Sequence, residues 1–305
     1  EKYHDVTVYL LNSFTPGFKD NVKKYASAML IVGIYEFQVD KLTKGFVNDF
    51  SEYVQEKWGI ESAKIRIPQL RTIPVGLTLE HGIEISRYDN IKQFVETSKG
   101  PYMVANCVCR QLKDIEGKPC SATSRREICL GFGYVAQLYI ENGCGHEITK
   151  EECIKILQQN EKEGLVFQTD NSKDGIIICS CCNCCCPGIS GLKNSSYPGR
   201  ITTSNYYAVV DPQLCIGCGL CVDKCPMLAI LLENSTASIN RDRCIGCSNC
   251  LIICEVKAIK LQKKVKEHIP FDSMEDLYAK ILERRKVLKD RNKKRETRHK
   301  AARSK

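Results

Sequence analysis

All 20 cysteines of this 305-residue chain fall between Cys107 and Cys254. The most regular of them form a doubled run, Cys215-x2-Cys218-x2-Cys221-x3-Cys225-Pro226 and Cys244-x2-Cys247-x2-Cys250-x3-Cys254, with the copies 29 residues apart. A cysteine at every third position of a tight loop puts three thiolates on three corners of a four-iron, four-sulfide cube, and the fourth ligand comes from elsewhere. In a two-cluster arrangement the fourth cysteine of each run serves the other cluster. That predicts Cys215, Cys218, Cys221 and Cys254 on one [4Fe-4S] cluster, and Cys244, Cys247, Cys250 and Cys225 on a second. Gly217, Gly219 and Gly246 suit a backbone that turns sharply against an inorganic core. Zinc sites typically pair two C-x2-C knuckles, so the spacing speaks against zinc here.

Ten more cysteines lie upstream: Cys107-Val108-Cys109-Arg110, Cys120, Cys129 and the loop Cys179-Ser180-Cys181-Cys182-Asn183-Cys184-Cys185-Cys186. They are enough for two further tetrahedral metal sites. Adjacent cysteines cannot all point at one iron, so Cys181/Cys182 and Cys184/Cys185/Cys186 are expected to divide between sites or leave some thiols free. Additional iron–sulfur clusters, zinc, and unmetallated redox thiols are the alternatives. Cys153 has a sufficient reason to be a small apolar residue: it stands at the staple position opposite Ile148, behind the capping box Thr149-Lys150-Glu151-Glu152. Cys144 and His146 read as loop residues, with a ligand role as the alternative.

The elements that must position these thiols read as an α+β chain in four parts. Residues 1–101 form a mixed α/β segment, with a helix from the cap Thr43 through Phe46, Val47, Phe50, Tyr53, Val54 and Trp58 stopped by Gly59, and a second helix over Tyr88–Ser98. Residues 102–200 form a cysteine-rich helical module with a helix from about Arg125 to Glu141, another from Thr149 to Gly164, and a strand Ile176–Ile178 leading into the cysteine loop. Residues 201–262 form a compact unit behind the boundary Ser195-Ser196-Tyr197-Pro198-Gly199, with strands at Tyr207–Val210, Ala229–Leu232, Ser238–Asn240 and Ala258–Leu261. Residues 263–305 carry a solvent-exposed basic helix capped by Asp272 or Ser273, with Leu277, Ile281 and Leu288 on one side.

Composition narrows the function. A disulfide scaffold would be short and would spread its bridges, whereas this chain is 43% hydrophobic and long enough to bury a core unaided. Metal binding in a reducing compartment is the better reading. Residues 281–305 hold 12 Lys/Arg against 3 Asp/Glu, which equals the whole net charge of +9, so the rest of the chain is balanced. A basic DNA-binding globule is therefore not indicated, and without aromatic residues among the tail's basic ones single-strand stacking is not either. The tail reads equally as a solvated, disordered end and as a segment that docks an acidic partner. The apolar run Ala26–Phe37 is too short and broken to span a bilayer. The start Glu1-Lys2-Tyr3-His4-Asp5 has neither initiator Met nor signal stretch, so a trimmed chain or a fragment, located in the cytoplasm, is expected. No nucleotide fingerprint, P-loop or Ser/His/Asp set stands out, and Gly131-Phe132-Gly133 is a lone G-x-G inside a predicted helix.

The doubled run resembles the bacterial two-[4Fe-4S] ferredoxins, which fold as a pseudo-twofold βαβ pair. The departure is Glu255, where the family usually has Pro after the last cysteine. Over most of residues 32–262 the chain also resembles a group of longer cysteine-rich 4Fe-4S proteins of anaerobic bacteria and archaea. The matching pieces are Val32-Gly33-Ile34-Tyr35-Glu36-Phe37-Gln38, Cys107–Arg110, Tyr139-Ile140-Glu141-Asn142-Gly143, Gly164-Leu165-Val166 and Cys179–Cys186. Longer members often begin with a winged-helix-like segment, and this chain starts after or within it. The resemblance implies a ferredoxin-type electron carrier or electron-transfer subunit in anaerobic metabolism, working with a redox partner protein. The alternatives are an oxidoreductase with a catalytic cluster upstream, and an iron–sulfur sensor or nucleic-acid binder using the tail.

Overall fold

The computed structural model describes residues 8–12, 23–27, 33–76 and 85–303. Parts of the apolar run Ala26–Phe37, and Val32 of the first matching piece, lie outside them. The strands are β1 (Val8–Asn12), β2 (Lys23–Ser27), β3 (Leu70–Thr72), β4 (Tyr102–Asn106), β5 (Glu127–Phe132), β6 (His146–Ile148), β7 (Val166–Asp170), β8 (Ile177–Cys181), β9 (Tyr206–Val210), β10 (Ile230–Glu233), β11 (Thr236–Ile239) and β12 (Ile259–Lys263). The α-helices are α1 (Lys44–Tyr53), α2 (Gly59–Ile65), α3 (Ile91–Thr97), α4 (Val108–Ile115), α5 (Tyr134–Glu141), α6 (Lys150–Lys162), α7 (Pro187–Asn194), α8 (Pro198–Ile201), α9 (Leu220–Lys224), α10 (Asn249–Ile252) and α11 (Met274–Arg303). The class is α+β, with the repeated cysteine runs in a C-terminal domain of short strands and helices.

A six-stranded sheet in the order β3-β7-β8-β5-β4-β6, antiparallel throughout, is the frame of the upstream part. It draws strands from both sides of residue 101, so the described residues before and after that point share one framework. Successive strand residues face opposite ways, and the two faces fill different cores. Val104, Leu130 and Ile178 pack with Phe94 of α3 and Leu157 of α6. Met103, Ala105 and Ile177 pack with Phe50 of α1, Leu112 of α4 and Tyr139 of α5. Cys129 and Cys179 lie on this second face, one residue beyond the paired Leu130 and Ile178.

Several local expectations change. Residues 127–132 form β5 rather than the start of a helix: the strand is buried on both faces, so its apolar run has no period-2 signature. Gly133, at φ +58, then turns the chain into α5, which places Gly131-Phe132-Gly133 at a strand-to-helix turn. Gly59 does not stop the first helix. It takes an ordinary helical φ of −61, a π-helical turn over Val54–Trp58 links α1 to α2, and Arg66 in the left-handed region ends the run before Pro68. The helix expected over Tyr88–Ser98 is a 3-10 turn (Arg87–Asp89) followed by α3, capped by Asn90. The Thr43 cap and the Thr149/Glu152 capping box are formed.

In the C-terminal domain β9 pairs with β12 and β10 with β11, both antiparallel, so each half lends one strand to each ribbon. The domain is tied to the upstream sheet by Thr72 N–H to Thr203 O at 3.1 Å, Val75 N–H to Cys247 O at 3.1 Å, and Asn249 Nδ2 to Gly164 O at 2.6 Å. Helix α11 is capped by Ser273 and is not wholly solvent-exposed: Leu277 and Ile281 are buried against Ile65. The side chains of most residues beyond Arg291 lie outside the described set. Among the described residues no helix is long and apolar enough to cross a membrane.

A buried ion pair of the upstream part also reaches the C-terminal domain. Arg71 and Asp89, 2% and 3% exposed, pair at 2.5 Å, and Asp89 also accepts from Asn205 Nδ2 at 2.8 Å. Removing one partner strands a buried charge. Asp89→Ala is expected to lower the unfolding free energy by about 3–5 kcal/mol, whereas an apolar replacement of both partners, Arg71→Met with Asp89→Leu, costs markedly less; chemical denaturation of the three proteins checks this.

Candidate metal centres

In the C-terminal domain the fold gathers the cysteines in two sets. Cys225, Cys244, Cys247 and Cys250 line one small cavity with Ala208, Met227, Ala229 and Ile245. Cys215, Cys218 and Cys254 are the thiols that act on Cys221. Backbone N–H groups point at the sulfurs: Ala208 to Cys244 at 3.4 Å, Ala229 to Cys225 at 3.2 Å, and Ala237 to Cys215 at 3.4 Å. Such donors stabilise sulfur anions and the sulfur-rich surface of a cluster, so this donor set fits [4Fe-4S] binding.

The loops need their glycines. A Cβ on Gly246, at φ +67, would stand 2.3 Å from Tyr206 O, and one on Gly217, at φ +70, would stand 2.3 Å from Ser235 O. The two sets differ in burial. Cys247 and Cys250 are buried, and burial pushes both thiols up. Cys218 is exposed, among the exposed apolar side chains Leu214, Ile216 and Leu220.

Upstream, six sulfurs form a closed ring of neighbours in the order Cys107, Cys109, Cys186, Cys181, Cys179, Cys129 and back to Cys107. They reach it from five places: Cys107 caps α4, Cys109 sits in its first turn, Cys129 is on β5, Cys179 and Cys181 are two apart on β8, and Cys186 caps α7. Hydrogen bonds from Cys109 and Cys129 hold Cys107 well below the usual thiol range, those from Cys129 and Cys181 bring Cys179 to about 5, and those from Cys109 and Cys181 lower Cys186. The donors Cys109, Cys129 and Cys181 are pushed up by those same bonds.

The remaining four upstream thiols make a tighter group. Cys120, Cys182, Cys184 and Cys185 have sulfurs all within 4.8 Å of one another. Sγ–Sγ distances are 3.7 Å for Cys120–Cys182 and Cys120–Cys184, 3.3 Å for Cys182–Cys184 and 3.7 Å for Cys184–Cys185.

Arg110 stands between the ring and the group of four. It is 1% exposed, donates from Nε to Cys120 Sγ at 3.3 Å and from Nη1 to Ser180 O at 3.1 Å, and its buried Nη2 has no hydrogen-bond partner. Burial works against its charge, but Cys107 and Cys182 outweigh that and raise its pKa. Behind it Asn160 Nδ2 donates to Ser180 Oγ at 2.7 Å, and Arg125 bonds both Asn160 and Glu163.

Glu36 and Tyr35 also face the ring. Burial pushes the Glu36 carboxyl up to about 8, with the Cys179 and Cys107 thiols adding to it, while Gly33 N–H donates to it at 2.6 Å. Tyr35 stacks on Phe50 and bonds Cys109. Both belong to a segment singled out in the sequence without a role. A lone Glu in an apolar run was the available signal.

The other flagged residues lie apart from these thiols. Cys153 is fully buried in the core under β4 and β8, and burial pushes it up to about 12. Cys144 is buried beside Lys41 Nζ at 3.8 Å, and His146 is exposed and pairs with Glu127 at 3.6 Å.

A family model described as a 4Fe-4S dicluster domain matches residues 207–255. No curated protein and no solved structure matches the chain. The chain therefore carries a 4Fe-4S dicluster domain at its C-terminal end and is an iron–sulfur protein.

Proposed function

We propose that the chain is an electron-transfer protein or subunit that takes electrons at the exposed Cys218 end and delivers them to the upstream thiols. Cys215, Cys218, Cys221 and Cys254 would hold an outer [4Fe-4S] cluster, and Cys244, Cys247, Cys250 and Cys225 an inner one. Such clusters supply one-electron transfer at potentials set by burial, charge and hydrogen bonds to sulfur.

One observation carries the direction. Cys181 and Cys186 of the ring share a single buried apolar cluster with Cys247, with Cys225 and Cys244 packed against it, and Val166, Ile189, Met227 and Ile245 fill the space between. The inner thiols thus adjoin the ring through buried apolar side chains, while Cys218 of the outer set is exposed. Asn183 Nδ2 to Pro226 O at 3.2 Å holds the upstream cysteine loop against the domain.

A second reading, an oxidoreductase, is favoured by one feature. The ring borders a cavity of about 1150 Å³ whose wall carries Arg66, Arg110, Arg200, Lys264, Lys266 and Arg285 against Glu36 and Glu267. An anionic substrate suits that wall. A change in the upstream absorption spectrum on adding small carboxylates or oxyanions, abolished by Lys264→Ala with Lys266→Ala, is its expected signature.

The relay predicts order in time. When the oxygen-free full chain is mixed with a viologen radical and freeze-quenched, paramagnetic signals of the dicluster domain are expected before any upstream change. Cys247→Ser should then slow the upstream change at least tenfold. Equal upstream rates in the variant and the wild type would sink the relay. Gly246→Ala is expected to destabilise the inner loop by more than about 1 kcal/mol and to lower iron per chain, as read by metal analysis and denaturation; Gly191→Ala, in a helix with open space around it, should leave iron unchanged and stability equal or slightly higher.

A further inference from the structure

We infer that the ten upstream cysteines build two centres of different kind: a single-ion site of Cys120, Cys182, Cys184 and Cys185, and a polynuclear metal–sulfide site of Cys107, Cys109, Cys129, Cys179, Cys181 and Cys186. This rests on the reading that the upstream thiols bind metal, and not on electrons passing between the halves.

Size makes the distinction. A tetrahedral ion with metal–sulfur bonds of about 2.3 Å requires thiolates about 3.8 Å apart. The four-cysteine group meets that, with four of its sulfur pairs at 3.3–3.7 Å. Among the described residues it is also the one group whose ligand atoms all fall within 4.8 Å of one another. The ring sulfurs influence their neighbours in turn but close no such group, so no single ion reaches four of them at bonding distance. Several metals bridged by sulfide span the wider opening.

Charge argues the same way. Four thiolates around a divalent ion leave an excess of two negative charges. The buried Arg110, bonded to Cys120 and facing Cys107 from its other side, is the cation that the arrangement needs. Its unpartnered Nη2 keeps one donor free for an anionic neighbour.

Placement gives the small site a role. It joins Cys120, in the segment between α4 and β5, to the loop between β8 and α7. An ion there clips the loop at Cys182, Cys184 and Cys185, and so fixes Cys181 and Cys186 on either side of it. Cys181 at the end of β8 and Cys186 at the start of α7 are also held by those elements, so the ion stiffens the loop without being needed to keep the ring's sulfide.

The test is the composition of the full chain purified without oxygen: iron, zinc and acid-labile sulfide per polypeptide in the wild type, Cys184→Ser and Cys129→Ser. Cys184→Ser is expected to lose one metal ion and no sulfide. Cys129→Ser is expected to lose iron together with sulfide and to keep the single ion. Loss of sulfide with Cys184→Ser, or the same loss in both variants, overturns the division. So does a wild type holding only the roughly 8 iron and 8 sulfide of two [4Fe-4S] clusters. If a variant does not fold, zinc-edge absorption or Mössbauer spectroscopy of the wild type decides: an ion with four sulfurs at about 2.3 Å and no metal neighbour supports the small site, and metal neighbours around every ion overturn it. Because these measurements read composition, a failed relay with the predicted metal losses stays distinguishable from a failed division.

Discussion

Buried sulfur anions have to be faced by donors or cations, and the architecture is organised around that need. The two halves meet it differently. The C-terminal domain turns backbone N–H groups of Ala208, Ala229 and Ala237 onto the sulfurs, which requires tight loops in which Gly217 and Gly246 take positive φ. The upstream module instead buries a guanidinium. Arg110 costs desolvation, and the thiols on both sides of it offset that cost. Its position depends on β8, whose Ser180 carbonyl accepts from it, and on α6, whose Asn160 holds Ser180 in turn. The sheet and its covering helices are thus part of the electrostatics of the thiols as well as their support.

The same need explains how closely the halves pack. Water at the boundary would screen the charges that face the sulfurs, and an apolar boundary avoids that. Val166, Ile189, Met227 and Ile245 fill the space between the inner cysteines and Cys181/Cys186, while the polar bonds from Thr72, Val75, Asn183 and Asn249 lie around it. The Arg71–Asp89 pair adds orientation, because Asn205 of the C-terminal domain completes the Asp89 shell. The outer end follows the opposite logic: Cys218 and the nearby Leu214, Ile216 and Leu220 face solvent.

The strands and helices of the C-terminal domain were legible because its cysteine spacing and turn glycines are local signals, each constrained within a few residues. The strand positions read from the sequence fall within two residues of β9, β10, β11 and β12. The upstream sheet was not legible in the same way. β5 is buried on both faces, so Ile128, Leu130 and Phe132 lie beside Cys129 and Gly131 in one apolar stretch that period alone cannot tell from a helix. β3 is three residues long and is defined by its pairing with β7, about a hundred residues away. Glu36 was quoted without a role because its surroundings come from Cys107 and Cys179, which no local window contains.

The upstream cysteine pattern becomes intelligible once the backbone is known. Successive residues of a strand point to opposite faces. At the end of β8, Cys179 and Cys181 therefore turn to the ring and Ser180 turns away to Asn160. The chain then leaves the strand, and Cys182, Cys184 and Cys185 fall in the loop beside Cys120. Cys186, as the cap of α7 before Pro187, is turned back to the ring. Two of the three adjacent pairs, Cys181/Cys182 and Cys185/Cys186, thus straddle a change of backbone state, and the third, Cys184/Cys185, stays together in the loop. What reads in one dimension as a crowded run of thiols is, in three, a strand end and a helix start serving one centre with a loop between them serving another.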